Sequence, residues 1–215
     1  MKRKLKLIFN RLYSAFGRQY WWPADTLFEI IVGAVLTQNT SWSNVQKAIL
    51  ALKERELLVA SKLYHLPEKK LAGLIKSAGY YNLKARRIKN FLEFFFNCYA
   101  GRIGLMRKQD SIFLRRQLLA VKGIGPETAD SILLYALNKP VFVVDAYTKR
   151  ILFRHGLIKE DADYSQVRDI FMSNLERNVG LFGEYHALLV KLGKDYCRKQ
   201  KPKCEICPLW SIKNA

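Results

Sequence analysis

LLAVKGIGPETADSILLYALNKPVFVVD, residues 118–145, decides how the rest of the chain is read. Two apolar, helix-like segments flank Lys122-Gly123-Ile124-Gly125, and Pro126 follows at once. Proline is favoured at the first position of a helix, where an N–H has no intrahelical partner anyway. Two glycines around one apolar residue make a tight hairpin of bare backbone, because glycine tolerates positive φ and leaves room for close approach. The N–H groups of the hairpin, and of the helix starting near Pro126, can hold an anion. A Gly-x-Gly is equally the composition of an ordinary turn. What sharpens the reading is the apolar run Val141-Phe142-Val143-Val144, strand-like in pattern, which delivers Asp145. An anion-binding hairpin thus precedes one presented carboxylate at short range.

The chain has 215 residues, half of them hydrophobic, enough for one or two domains with a sizeable core. Lys and Arg total 37 against 18 Asp and Glu, a net charge of +19. That excess is spread along the chain and favours an anionic polymer, nucleic acid before acidic membrane. The basic N-terminus MKRKLKLIFNRLY lacks the apolar core of a signal peptide, and the run Ile30 to Leu36 is too short to span a bilayer. A soluble, intracellular (cytoplasmic) protein is expected. Four cysteines, three of them near the C-terminus, argue against a secreted disulfide framework.

The remaining chain reads as helices. Residues 3–20 form a basic amphipathic helix with Leu5, Ile8, Leu12 and Phe16 on one side. Trp21-Trp22-Pro23 follows; two adjacent indoles point in different directions, so one can be core while its neighbour faces a cleft. Asp25 or Thr26 caps the apolar helix LFEIIVGAVLTQN, which is expected to be buried. Its end, Thr37-Gln38-Asn39-Thr40, is abruptly polar. Trp42 opens the next helix and shares a face with Val45, Ile49 and Leu52, so core packing accounts for it as readily as an exposed ring beside the polar loop. Residues 83–99 are basic first (Lys84, Arg86, Arg87, Lys89) and aromatic later; Cys98 among them is expected to be buried. Helices at AYTKRILFRHG, at 164–174 and at 185–196 complete an all-α chain.

Asp145 is a good helix N-cap, and that role alone explains an aspartate there. The same position keeps a carboxylate ionised, which suits an anion that stabilises developing positive charge or orients a water.

LLAVKGIGPETAD, then VFVVDAYTKRI, the TQNT and GYYNLKARRI segments, and GEYHALLVKLGKDYC resemble the helix-hairpin-helix DNA glycosylases of the endonuclease III superfamily over nearly the whole chain. The resemblance implies two helical domains with the active site between them: residues 26–139 as one, residues 1–25 and 140–215 as the other. It implies base excision repair on double-stranded DNA containing damaged bases, with the target base flipped out. It places Asp145 as the catalytic aspartate, Lys122, Gly123, Ile124 and Gly125 on the DNA backbone, and Gln38 in the space left in the duplex. A single copy on DNA is the default, with no membrane involved.

Two departures matter. Relatives that also nick DNA use a lysine eighteen positions before the aspartate; here that residue is Glu127, which cannot form a Schiff base, so the resemblance implies a monofunctional enzyme without strong lyase activity. A first-turn acid at a helix start explains Glu127 too. The family's [4Fe–4S] loop reads Cys-x6-Cys-x2-Cys-x5-Cys. Cys197, Cys204 and Cys207 keep three positions, and Lys213 takes the fourth. Such clusters normally use four thiolates, so the cofactor's binding stays open.

Trp21, Trp22 and Trp42 with Lys194 after Gly193 are similar to the 3-methyladenine glycosylase branch, where aromatic side chains build the base pocket together with Glu127 and Lys194 positions. Alkylated purines are cationic, and an electron-rich indole attracts a cation, by about 1–2 kcal/mol when desolvated. Two other readings stay open: an endonuclease III-like glycosylase for oxidised or mismatched pyrimidines, and a non-catalytic module that binds DNA or senses damage.

Overall fold

The computed structural model describes residues 1–212, and Lys213 lies outside them. The helices in order are α1 (Lys2–Phe16), α2 (Leu27–Leu36), α3 (Trp42–Lys53), α4 (Ala60–His65), α5 (Glu68–Leu74), α6 (Tyr81–Tyr99), α7 (Ile103–Lys108), α8 (Ser111–Ala120), α9 (Pro126–Ser131), α10 (Ala146–Arg154), α11 (Tyr164–Asn174) and α12 (Val179–Asp195). A π-helical turn, Ile132–Ala136, continues α9. The fold is all-α. Contacts divide the chain into two compact units, residues 24–139 and residues 1–23 with 140–215.

In the first unit α2 is the buried centre. Every residue from Phe28 to Leu36 is buried, as expected of a helix apolar on most sides. The Thr26 hydroxyl caps it by accepting from the Glu29 N–H. Glu29 in turn accepts from the Asp25 N–H and pairs with Lys53 at 2.7 Å, so a buried acid is fully engaged. α8, the hairpin and α9 form the helix-hairpin-helix. The Arg115 guanidinium grips the fully buried Asp130 carboxylate through two bonds, 2.6 and 3.1 Å, tying the two helices across the turn. Such a fork adds geometric definition as well as energy.

In the second unit α1 buries Leu5, Ile8 and Leu12. It stops at Phe16, not at residue 20, because Gly17 takes φ +65°, a conformation that ends a helix cheaply only at glycine. The run Val141–Val144 is buried, but it is extended backbone rather than a strand. Its N–H groups find side chains instead of a neighbouring strand: Phe142 donates to the Met172 sulfur and Val144 to the Tyr164 hydroxyl. The Phe142 ring stacks on Phe171 at 3.6 Å and meets Phe182 and Tyr185 edge-on, so apolar character here reflects core threading and not pairing. Cys98 is exposed, against the expectation of burial, because it lies on the outer side of α6 between the buried Phe95 and Tyr99. Among the described residues no helix is long and apolar enough to cross a membrane.

Candidate functional site

Asp145 is the N-cap of α10. One carboxylate oxygen accepts from the Thr148 N–H at 2.7 Å. The other lies 3.6 Å from Nε2 of His186, a buried histidine on α12. Burial pushes the Asp145 carboxyl up, but His186 and the Thr148 N–H outweigh it and hold the group below the usual carboxylate range. The side chain keeps 12% of its surface open. An ionised carboxylate at the rim of an apolar core can stabilise a cation or receive a proton from water.

α10 packs along α12, and Tyr147 of α10 sits tight against Gly193. A Cβ there would stand 2.4 Å from the Tyr147 ring, so no larger residue fits without moving α10. Arg150 lies over the other part of this contact, 5.1 Å from the Tyr147 centroid, and donates to the Gly193 carbonyl. Eight residues beyond His186, about 12 Å along the helix, Lys194 holds its ammonium 5.8 Å from the Trp21 centroid. Trp21 and Trp22 are both half-buried, with ring centroids 5.7 Å apart. The second unit therefore gathers Asp145, His186, Trp21, Trp22 and Lys194 around one helix.

Trp42, Gln38, Glu127 and the hairpin belong to the other unit. Trp42 is half-buried at the first position of α3, while Val45, Ile49 and Leu52 from its face are buried. Glu127 is exposed in the first turn of α9. In the hairpin Lys122 is exposed and the Ile124 side chain is buried. The Ile124 N–H is spent on the Val121 carbonyl. Gly123 has φ +96°, and a Cβ there would meet Arg87 at 2.4 Å. Gly125 has φ −88° and open space where its Cβ would be. The fold demands glycine at the first position and leaves the second bare.

Cys197, Cys204 and Cys207 line one cavity of about 220 Å³ together with Arg154, His155 and Trp210. Cys197 is buried, Cys207 partly so and Cys204 exposed. Burial pushes the Cys207 thiol up. Arg154 donates to the Cys197 sulfur at 3.4 Å. Among the described residues no three His, Cys, Asp or Glu side chains converge to hold a metal ion. Among the described residues three thiols, one of them taking a guanidinium, fall short of the four thiolates such a cluster uses.

His186 is marked in the residue pattern only as one of two polar residues, with Lys191, in the largely apolar HALLVKL stretch. Arg87 read as one of several cations, with nothing local to set it apart.

A helix-hairpin-helix followed by an aspartate capping the next helix defines a class of enzymes that act on bases in DNA. The chain matches the HhH-GPD superfamily base excision DNA repair protein model over residues 32–177 and belongs to that family. A provisionally assigned DNA repair glycosylase of Methanocaldococcus jannaschii is 48% identical over 203 residues, covering 94% of this chain and 92% of that protein. The crystal structure of Helicobacter pylori 3-methyladenine DNA glycosylase (MagIII) bound to 1,N6-ethenoadenine has a TM-score of 0.78 and 28% identity, covering 89% of this chain and 97% of that one. A trapped endonuclease III–DNA covalent intermediate shares the fold, with a TM-score of 0.85 at 22% identity over 99% and 95% of the two chains. The protein is a base excision repair DNA glycosylase of this family.

Proposed function

We propose that the enzyme is a monofunctional glycosylase that acts as a single copy on duplex DNA and releases N3- or N7-alkylated purines such as 3-methyladenine. The carrying observation is the tryptophan pair, two half-buried indoles side by side, one of them already facing a cation, Lys194. That is a surface suited to positively charged rings. The Helicobacter pylori neighbour, named for 3-methyladenine, supports the same substrate class. Glu127 in place of a lysine supports hydrolysis without lyase chemistry.

In the reaction the bond from C1′ to the base nitrogen breaks and its electron pair leaves with the base. A cationic purine departs neutral and needs no acid. Positive charge develops on the sugar, where the Asp145 carboxylate opposes it. The oxygen of water bonds to C1′, and its proton passes to Asp145 or solvent. The Gly123 and Gly125 backbone binds phosphate without reading sequence, and Gln38 enters the duplex where the base has left.

The test is base release from duplexes carrying 3-methyladenine, 7-methylguanine, thymine glycol or G·T and G·U mismatches. Alkylated purines are expected to be released and the pyrimidines retained; the reverse would replace this reading with an endonuclease III-like one. Asp145→Asn is expected to abolish release while DNA binding survives.

A further inference from the structure

α6 carries a polar stripe, Lys84, Arg87 and Asn90, spaced three residues apart and so on one side of the helix. Each member is committed inside the protein. The Lys84 ammonium donates to the Leu36 carbonyl, the last of α2, at 2.9 Å, and to the Ala78 carbonyl at 2.7 Å. Asn90 donates to the Lys122 carbonyl of the hairpin at 2.8 Å. Arg87 donates to the Gln38 amide oxygen. The Gln38 amide nitrogen then donates to the Gly123 carbonyl at 3.1 Å and to the Thr128 hydroxyl at 2.9 Å. The stem of Arg87 packs against the Cα of Gly123, in the space a side chain would need.

These contacts take the hairpin by its carbonyls. The carbonyls of Lys122 and Gly123 are both held by side chains from behind. With those two carbonyls held and the Ile124 N–H bonded to the Val121 carbonyl, the hairpin backbone is fixed from inside the protein. Among the described residues the Gly123 and Gly125 N–H groups have no protein acceptor.

We propose that Arg87 is a positioning residue for DNA binding, acting through Gln38 on the hairpin rather than by touching phosphate. Arg87 with Asn90 pre-sets the hairpin so that its N–H groups meet a phosphate without reorganisation. The same chain parks Gln38 while the enzyme is on undamaged DNA. The inference rests on DNA as the ligand of this hairpin.

The test is the affinity of the full chain for an undamaged duplex across a salt series. A direct phosphate contact contributes about 0.9 to the slope of log K against log salt, and a positioning residue contributes nothing. Arg87→Met keeps the packed stem and removes the donor. It is expected to weaken binding about five- to tenfold at every salt concentration with the slope unchanged, and Arg87→Lys is expected to recover part of the loss. Gln38→Ala combined with Arg87→Met is expected to lose little more than Arg87→Met alone, because both cut one chain. Lys122→Ala serves as the contrast, with a shallower slope. A slope lowered by about 0.9 in Arg87→Met, or wild-type affinity in that variant, overturns the proposal. Wild-type protein that fails to bind DNA would instead overturn the reading of the hairpin. Circular dichroism and thermal unfolding of each variant ensure that the comparison is between folded proteins; if Arg87→Met does not fold, Arg87→Lys carries the slope comparison.

Discussion

Nε2 of His186 lies 3.6 Å from Oδ2 of Asp145, and both side chains are turned largely away from solvent, 7% and 12% exposed. Burial alone would favour the protonated acid. His186 and the Thr148 N–H reverse that preference. A depressed folded value means that the ionised carboxylate stabilises the fold above its unfolded value, about 3.9. This contribution is lost as pH falls through the folded value. Activity that needs the carboxylate follows the same limb. Replacing His186 by Gln removes the charge partner, so the acid limb of base release is expected to move to higher pH, with several-fold loss at its acid end and little change on the neutral plateau. A pH profile of single-turnover base release checks this. An unmoved limb would mean that Thr148 alone keeps Asp145 ionised.

The two hairpin glycines are expected to behave differently. Gly123 has a positive φ and Arg87 against its Cα. Gly123→Ala therefore combines backbone strain with a clash and is expected to lower stability by about 1–3 kcal/mol. At Gly125 a methyl group meets nothing in the free protein. Gly125→Ala should leave stability within about 0.5 kcal/mol of wild type, yet weaken duplex binding, because it fills the space a phosphate would approach. Urea unfolding and fluorescence anisotropy on the two variants separate the cases. Equal stability losses would refute the distinction.

Local signals were legible in the sequence, and distant reaches were not. The glycine pair, Pro126, the Thr26 cap and the aspartate ahead of AYTKRI each speak through neighbours within a turn, and each gave its element in place. In the sequence Lys84, Arg87 and Lys89 are simply members of a basic stretch at the start of α6. In the fold Lys84 reaches a carbonyl 48 positions away, Arg87 a side chain 49 away, and Lys89 the carbonyls of Leu63 and Tyr64. A long cationic side chain carries no local mark of whether it serves solvent, phosphate or a helix end. The extended VFVV run misled for a related reason: its pattern reports burial, and burial comes from rings on α11 and α12 as well as from strands.

Lys84 gives a stability prediction with a defined pH window. Its side chain is almost fully buried, and burial, then Arg87, push the ammonium down to about 8. Between about 8 and the unfolded value near 10.5, the unfolded chain binds the proton and the folded chain does not, so stability rises with pH across that window. The gain attributable to Lys84 is about 3 kcal/mol at most. Lys84→Met lacks the proton and loses the two carbonyl bonds. The stability difference between wild type and variant is expected to grow in favour of wild type from pH 8 to 10.5 and to be flat below. Urea titrations at several pH values measure it. A difference that does not change with pH would place the Lys84 proton outside this window.

The cysteine-bearing tail tests what holds a loop when its cluster motif is one thiol short. Arg150 donates to the Cys197 carbonyl at 2.8 Å and to that of Gly193, and Arg154 donates to the Cys197 sulfur and to the carbonyls of Arg198 and Lys199. Two arginines on α10 therefore clamp the start of the loop by its backbone, on the helix that Asp145 caps. Hydrogen bonds from charged donors contribute about 1.5–3 kcal/mol each. Arg154→Ala is expected to lower stability by about that amount and to expose the tail to protease. Cys204→Ser, at an exposed thiol, is expected to change stability by no more than about 0.5 kcal/mol. A loop held by an iron–sulfur cluster would give the opposite order: Cys204→Ser would unfold the tail and bleach the visible absorption of anaerobically purified protein, while Arg154→Ala would be tolerated. The order of the two variants in thermal unfolding thus decides whether side-chain clamps or a cofactor hold this end of the chain against α10.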